Sequence, residues 1–384
     1  MENMTRKKSK IASWFALCPA AHIVTLLSSA VIALHLALRG DHALMARISE
    51  NAVRPVHAAL AVLNSHVGFS VAEVLIVITA AAVLARLVYA LVRLLRGESS
   101  LRRAYRLVMG LAALALAVYA GFSLLWGVYY YGDDFMAKSG LDSSPVSTEQ
   151  LETVTEYFAR LANRYGDEVE RNADGFYVCD RDAILARSPS LFDNTVRDFP
   201  CLDGPRIAAK GVWLSRGMSY IDFTGFFFPF TGEANVNRDF PPSLFASTVA
   251  HELSHQRGVA KEQEANFVAV LASLRSGDAD FCYSAAVLAY VHLGNALYSA
   301  DHAAWERVYG MLSDGVKRDL ALNNAYWRQF ETPVQSVSNT VYEGFLHSYD
   351  QTLGLKSYGA CVDLLVNYYY GDAEKSVNEG NNNE

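Results

Sequence analysis

The sequence predicts a protein in two parts: an α-helical membrane anchor of three transmembrane helices, and a mainly α, α+β domain outside the cytoplasm. Three observations predict this fold class. Of the 384 residues, 52% are hydrophobic, which is too many for an ordinary soluble protein of this length. The longest uncharged stretches lie near the N-terminus, and the second half of the chain shows mainly the apolar spacing of helices.

The three membrane helices are predicted from uncharged stretches. Residues 11–38 and 107–132 contain no Asp, Glu, Lys or Arg, and each stretch exceeds the roughly 20 residues with which a helix crosses a bilayer. Between them, residues 71–95 are interrupted only by one Glu and two Arg. We therefore predict a membrane domain over residues 1–131, with transmembrane helices at about 14–37, 71–94 and 107–130.

The basic residues predict the orientation of these helices. Lys and Arg are concentrated before the first span and between the second and third spans, and such segments remain in the cytoplasm. The N-terminus is therefore predicted to be cytoplasmic, with an extracytoplasmic domain over residues 132–371 and a disordered tail over 372–384. The outer loop contains an apolar stretch, residues 53–63, that we expect on the membrane surface.

Charge limits the partners of the outer domain. Residues 1–131 carry 13 basic and 5 acidic side chains, which leaves 20 basic and 35 acidic side chains for the remainder of the chain. An acidic domain is repelled by phosphate backbones, so no nucleic acid is expected as a partner. The expected partners are the lipid bilayer and a polypeptide.

One motif predicts the chemistry of the outer domain. In His251-Glu252-Leu253-Ser254-His255, the two histidines are four residues apart and share one face of a helix, so both can bind one metal ion. Glu252 follows the first histidine, where it can act as the base toward a water molecule at the metal. Gly258 is placed to end this helix. The motif therefore predicts a zinc peptidase site with Glu252 as the catalytic residue.

The third zinc ligand distinguishes subclasses of such sites. Lys261 stands where a metzincin has a third His or Asp, which excludes that subclass. Glu262 and Glu264 can each supply a carboxylate from the next predicted helix. The string Glu262-x-x-Ala265-Asn266 resembles the signature of glutamate-zincin (gluzincin) families, which implies Glu262 as the ligand and Asn266 as a supporting residue. Glu264 remains the alternative, because the connection after His255 is short.

Across most of its length the chain resembles an uncharacterised family of bacterial membrane proteins that is classed as a domain of unknown function and presumed to consist of zinc peptidases. The resemblance rests on residues 228–237, 251–267 and 357–359. It implies a zincin-like fold, a Zn²⁺ cofactor and a multi-pass location in the bacterial cell membrane. It does not imply a known substrate.

Residues that contact the substrate are predicted from the segments around the motif. Residues 211–215 and part of 223–230 are predicted strands, and zinc peptidases of this class commonly bind the substrate backbone along an edge strand. We expect residues 232–237 to line the cleft, with Asn235 or Asn237 contacting the substrate. A further side chain is expected to donate to the oxyanion. The candidates are Tyr283, Tyr290, His292, Tyr342, His347 and Tyr358, and Tyr358 is favoured because it lies in a string shared with the family.

The predicted function is hydrolysis of peptide bonds outside the cytoplasm, on peptide or protein substrates that are soluble or close to the membrane. The alternative is a non-catalytic membrane sensor or assembly protein with a structural or vestigial zinc site. Glu252 favours the enzyme, because a structural zinc site needs no base.

Overall fold

The computed structural model describes residues 13–98, 100–351 and 358–381, and most of them are helical. The chain divides into two compact units. The N-terminal unit comprises Met1–Val53 and Val71–Gly132, and the C-terminal unit comprises Arg54–Ser70 and Asp133–Glu384. The loop between the first two predicted spans therefore contributes a segment to the C-terminal unit.

In chain order, the α-helices are α1 (Pro19–Leu38), α2 (His42–Ile48), α3 (Arg54–Ser65), α4 (Val71–Leu95), α5 (Leu101–Leu125), α6 (Phe135–Ser139), α7 (Thr148–Glu168), α8 (Arg181–Arg187), α9 (Ser215–Tyr220), α10 (Phe245–Gln256), α11 (Glu262–Ser276), α12 (Ala279–Ala300), α13 (His302–Met311), α14 (Asp314–Arg328), α15 (Pro333–Ser348) and α16 (Tyr358–Asn381). Short 3₁₀ segments lie at Gly127–Tyr131, Ser188–Ser190, Pro200–Leu202 and Pro242–Leu244, and a π-helical turn lies at Ser49–Val53.

Among the described residues, three helices are long and apolar enough to cross a membrane, namely α1, α4 and α5. This agrees with the three spans expected from the sequence. The third of these candidate spans, α5, begins at Leu101, six residues before the predicted start. Ser100 caps it by accepting a hydrogen bond from the backbone N–H of Arg103. The basic residues after Ser100 therefore belong to the first turns of α5 and not to a loop.

Helix α3 covers most of the apolar stretch that we expect on the membrane surface, and one of its faces packs on the C-terminal unit. It belongs to the C-terminal unit, in which His57 and Ala61 are buried. The amide of Asn64 donates a hydrogen bond of 2.8 Å to the carbonyl of Thr231, which fixes the helix to a turn of the sheet. Gly232 follows in this turn at φ 68°, and a Cβ there would lie 2.6 Å from the carbonyl oxygen of His57. Only glycine allows α3 to approach so closely.

The C-terminal unit contains a small sheet. Its described strands are β1 (Lys210–Gly211), β2 (Gly225–Phe228) and β3 (Glu233–Val236), in the order β1-β3-β2. Strand β3 runs parallel to β1 and antiparallel to β2. Pro229 follows β2 at the edge of the sheet, where its missing N–H is tolerated. Residues 212–215, predicted as a strand, lead into α9 instead.

The C-terminal end of the chain departs from the predicted disordered tail. Helix α16 continues to Asn381, so the prediction is wrong for residues 372–381, and residues 382–384 lie outside the described residues. Tyr369 and Ala373, one helical turn apart, are both buried. The ring of Tyr369 packs edge-on against Phe158 of α7 at 5.1 Å. This apolar contact stabilises a helix whose surface is polar enough to resemble a tail.

Candidate metal centre

Three side chains converge at the start of α11. The Nε2 atoms of His251 and His255 on α10 lie 3.0 Å apart. Glu262 Oε2 lies 3.1 Å from the first and 3.7 Å from the second of these nitrogens. Ligand atoms at 2.0–2.1 Å from a tetrahedral zinc ion would be about 3.3 Å apart. Two imidazole nitrogens and one carboxylate oxygen at these separations therefore fit a zinc ion with one position left open.

The other nitrogen of each histidine is fixed by an acceptor. His251 Nδ1 donates to Asn266 Oδ1 at 2.9 Å, and His255 Nδ1 donates to the carbonyl of Val259 at 2.7 Å. Because both partners are acceptors, each Nδ1 carries the proton and each Nε2 turns its lone pair toward the other. Two lone pairs 3.0 Å apart repel unless a cation lies between them, either a proton or a metal ion.

The end of α10 explains this arrangement. Gly258 has φ 86° and its N–H donates to the carbonyl of His255 at 2.9 Å, which stops the helix. The chain then reverses, so that Val259 turns its carbonyl toward His255. Helix α11 begins at Glu262 four residues after Gly258, and its first residue faces α10. The short connection that left the third ligand open is therefore what brings Glu262 to the histidines.

Glu264 lies on a different side of α11. Its Oε2 accepts a hydrogen bond of 2.9 Å from the backbone N–H of Phe135, and the side chain is buried. Burial raises the pKa of Glu264 to about 7. Of the two carboxylates that the sequence left open, the structure brings Glu262 and not Glu264 to the histidines.

Glu252, the predicted base, is buried where α10 faces β2. Its side chain is 3% exposed, and its Oε2 has no hydrogen-bond partner among the described residues. Burial raises the pKa of Glu252 to about 7. Gly225 of β2 faces it, since a Cβ there would lie 2.5 Å from Glu252 Oε1. The missing side chain at this strand position leaves the room that the carboxylate needs.

The charges of the cluster are coupled. Burial alone would lower the pKa of His255, but the carboxylate of Glu262 outweighs it and raises the pKa to about 9. Burial would raise the pKa of Glu262, yet the adjacent His255 and His251 hold it well below its ordinary range. Without a metal ion, the cluster therefore keeps a proton on the histidines and a negative charge on Glu262 at neutral pH.

Two residues predicted to contact the substrate have other partners. Asn235 is fully buried and accepts a hydrogen bond of 2.6 Å from the hydroxyl of Ser70. Asn237 is also fully buried, and its amide donates to Ser219 Oγ at 2.9 Å. Both side chains have partners within the fold, because Ser70 and α9 cover the face of β3 that carries them. Their contact with a substrate stays a prediction. The two amides stabilise the sheet and its connections.

A tyrosine other than Tyr358 lies near the cluster. The side chain of Tyr358 lies outside the described residues. The hydroxyl of Tyr342 on α15 donates to Glu262 Oε1 at 3.0 Å, and this side chain is half-buried. The sequence offers Tyr342 as one of several candidate oxyanion donors and gives Gly225 no role, although a glycine within an apolar strand is a signal of close approach.

The comparisons give a family and no activity. A family model described as "Protein of unknown function (DUF3810)" matches residues 49–366, more than four-fifths of the chain. No curated protein and no solved structure matches the chain. The matched range includes α4, α5 and every residue of the cluster.

Proposed function

We propose that this chain, which belongs to the DUF3810 family of proteins of unknown function, is a membrane-anchored zinc peptidase of the glutamate-zincin type. The observation that carries the proposal is the convergence of His251, His255 and Glu262 beside the buried carboxylate of Glu252, which has an oxygen without a partner among the described residues. A site that only stabilised the fold would have no use for that carboxylate, whose burial is costly.

Zinc, when bound, would supply a Lewis acid and lower the pKa of a water molecule. Glu252 would accept a proton at Oε2 from the attacking water and pass it to the leaving amine, and a pKa of about 7 suits this general base. Asn266 and Val259 hold the two imidazole rings in the tautomer that presents Nε2. Tyr342, within 3.0 Å of Glu262, is our candidate for the oxyanion donor in place of Tyr358.

The proposed location is the cell membrane, with the site on the extracytoplasmic side. The basic residues support this orientation. The segments that make up the C-terminal unit support three membrane crossings, because Arg54–Ser70 and Asp133–Glu384 form one compact body. The loop after the first span and the domain after the third span must then lie on the same side of the membrane, as they do when α4 and α5 both cross it.

The zinc content of the purified full-length chain tests the metal site. The full chain is used because residues 54–70 belong to the C-terminal unit. We expect one zinc ion per chain, its loss in His251→Ala and Glu262→Ala, and its retention in the matched control Glu264→Gln. Zinc retained in Glu262→Ala, or a folded wild-type chain without zinc, would contradict the proposed ligand set.

Cleavage of a peptide library by the wild type and by Glu252→Gln tests the activity. We expect the variant to keep zinc and to lose cleavage by about 10²–10⁴-fold, since it lacks a general base. Equal cleavage by both forms would refute the role of Glu252. Zinc bound by both forms with cleavage by neither would favour the non-catalytic sensor or assembly protein.

A further inference from the structure

The segment that joins the first two spans has an unusual surface. Residues 55–70 contain no Asp, Glu, Lys or Arg. On α3, His57 and Ala61 face the sheet and are buried, while Val56, Val62 and Leu63 on the opposite face are exposed. Leu63 is 66% exposed. A helix that lies on a soluble domain normally carries charged residues on its outer face, so this apolar face requires an apolar neighbour.

A second exposed group continues this apolar face. The rings of Phe69 and Trp213 lie 5.6 Å apart, and Trp213 is 72% exposed. Leu214, the next residue, is exposed as well. Phe69 stands two residues before Val71, the first residue of the candidate span α4. By chain continuity, the backbone of Phe69 lies within about 7 Å of the point where α4 begins, and the indole of Trp213 packs beside the Phe69 ring.

We propose that Val56, Val62, Leu63, Phe69, Trp213 and Leu214 form a bilayer-facing patch of the C-terminal unit, and that the occupant of this patch is the lipid bilayer. The connection of Phe69 to α4 identifies the occupant, because a helix that enters the bilayer holds its preceding residues at the interface. Tryptophan is enriched at that depth, where its ring is in the apolar region and its N–H reaches water.

The patch is close to the metal centre. The inner face of α3 contacts the turn at Thr231 and Gly232. From the other side, the amide of Gln256 donates to the carbonyl of Gly232 at 2.8 Å, and Gln256 directly follows the metal ligand His255. One helix diameter, about 10 Å, and one turn of chain therefore separate the patch from the site, a distance on the order of 15 Å.

This distance defines a substrate class, an inference that rests on the proposed peptidase function. About five extended residues cover on the order of 15 Å. The substrate is therefore a polypeptide segment that emerges from the bilayer, such as the juxtamembrane part of a membrane protein or of a lipid-anchored protein. A free soluble peptide has no such tether to bring it to a cleft near the bilayer surface.

Fluorescence in nanodiscs tests the patch without reference to activity. The full chain is compared as Leu63→Trp and as the matched control Tyr298→Trp, in which Tyr298 is 51% exposed on α12 and outside the patch. Each variant is measured in ordinary and in brominated phosphatidylcholine. We expect the emission added by Leu63→Trp to be quenched by the brominated lipid, and that of the control to be unchanged. In Trp213→Phe, the quenched part of the wild-type emission should decrease.

Two results would overturn the patch. The first is an added emission in Leu63→Trp that the brominated lipid leaves unchanged, because no lipid then reaches α3. The second is a blue-shifted emission without quenching, which would assign the patch to a second copy of the chain or to another protein. An unchanged quenched fraction in Trp213→Phe would remove Trp213 and Leu214 from the patch.

The position of cleavage tests the substrate class. Proteoliposomes of the full chain are incubated with a library of long flexible peptides that carry one acyl chain as a membrane anchor, and mass spectrometry locates each cut. We expect cuts that depend on Glu252 to cluster within the first ten or so residues from the anchor. Cuts spread evenly along the peptide would overturn the substrate class. If no cut depends on Glu252, the peptidase proposal fails, while the quenching result for the patch is unaffected.

Discussion

The C-terminal unit contains two buried polar clusters that are built from similar residues but satisfied to different degrees. Around Asp319, every oxygen of the buried carboxylate is used. The backbone N–H of Tyr177 donates to Oδ1 at 3.0 Å, Arg171 donates to Oδ2 at 3.0 Å, and the hydroxyl of Tyr283 donates to Oδ2 as well. Around His251 and His255, by contrast, two nitrogens face each other at 3.0 Å, and Glu252 Oε2 has no partner among the described residues.

This difference distinguishes a cluster that stabilises the fold from a cluster that is a candidate functional site. Buried polar groups in folded proteins are nearly always paired, so a paired cluster such as that of Asp319 requires no further explanation. A cluster that leaves a buried carboxylate oxygen without a partner among the described residues, and holds two imidazole nitrogens 3.0 Å apart, is costly. Such a cost persists where another species completes the site. A substitution in one of these clusters should leave the other intact.

The largest expected effect comes from Asp319→Ala. The substitution removes the acceptor of three groups, namely the half-buried Arg171 guanidinium, the Tyr283 hydroxyl and the backbone N–H of Tyr177. We expect a loss of about 3–5 kcal/mol of unfolding free energy. Zinc bound per folded chain should be unchanged. Denaturant unfolding compares the stability of Asp319→Ala with that of His251→Ala. We expect His251→Ala to lose zinc, and we expect its zinc-free form to be no less stable than the zinc-free wild type. Zinc loss in Asp319→Ala would show that the clusters are coupled.

The next prediction is a pH dependence of zinc binding. Zinc requires neutral imidazole, and the pKa of His255 is raised from 6.5 to about 9 without metal. Zinc affinity should therefore rise roughly tenfold per pH unit up to about pH 9 and then level off. The stabilisation of the zinc-free form by protonated His255 is complete below pH 6.5 and is lost as the pH rises toward 9.

Calorimetry in buffers of different ionisation enthalpy measures the proton released when zinc binds, and denaturation of the chelated protein measures the stability. Glu262→Gln is the control for the second measurement, because it removes the carboxylate that raises the pKa of His255. A zinc affinity that does not change between pH 6.5 and 9 would contradict the assignment of the raised pKa to His255.

Removal of the acceptor at His251 should have a smaller effect. Asn266→Ala takes away the oxygen that lies 2.9 Å from His251 Nδ1. Zinc affinity should fall by about 10–100-fold, as for other residues that orient a metal-binding histidine. Asn266→Asp retains an acceptor and should restore most of the affinity. Competition with a chelator dye measures both variants, and equal affinities for wild type and Asn266→Ala would remove Asn266 from the site.

The smallest expected effect comes from Gly225→Ala. The new Cβ would lie 2.5 Å from Glu252 Oε1, so the carboxylate or the strand must shift. We expect a stability loss of about 1–3 kcal/mol from overpacking, a reduced cleavage rate and unchanged zinc content. Gly310→Ala is the matched control, because no atom lies within 4 Å of the added Cβ. Full activity in Gly225→Ala would show that Glu252 does not depend on this space.

The local parts of the structure could be predicted from the sequence. The uncharged stretches predicted α1, α4 and α5 because a helix in lipid depends on composition alone. The spacing of His251 and His255 predicted a shared face because helical periodicity is a local property. The start of α5 was missed by six residues, since basic side chains in a first turn resemble a loop.

The sequence by itself determined the three helices that are apolar and long enough to cross a membrane. It also determined the shared face of His251 and His255 on α10 and the residue types that stand there. Tertiary structure alone decided that Glu262 and not Glu264 reaches the histidines, that Ser70 covers Asn235, and that Tyr342 joins the cluster. The physical reason is distance along the chain. Asn235 and Ser70 are 165 residues apart, and no local pattern specifies which face of β3 such a segment will bury.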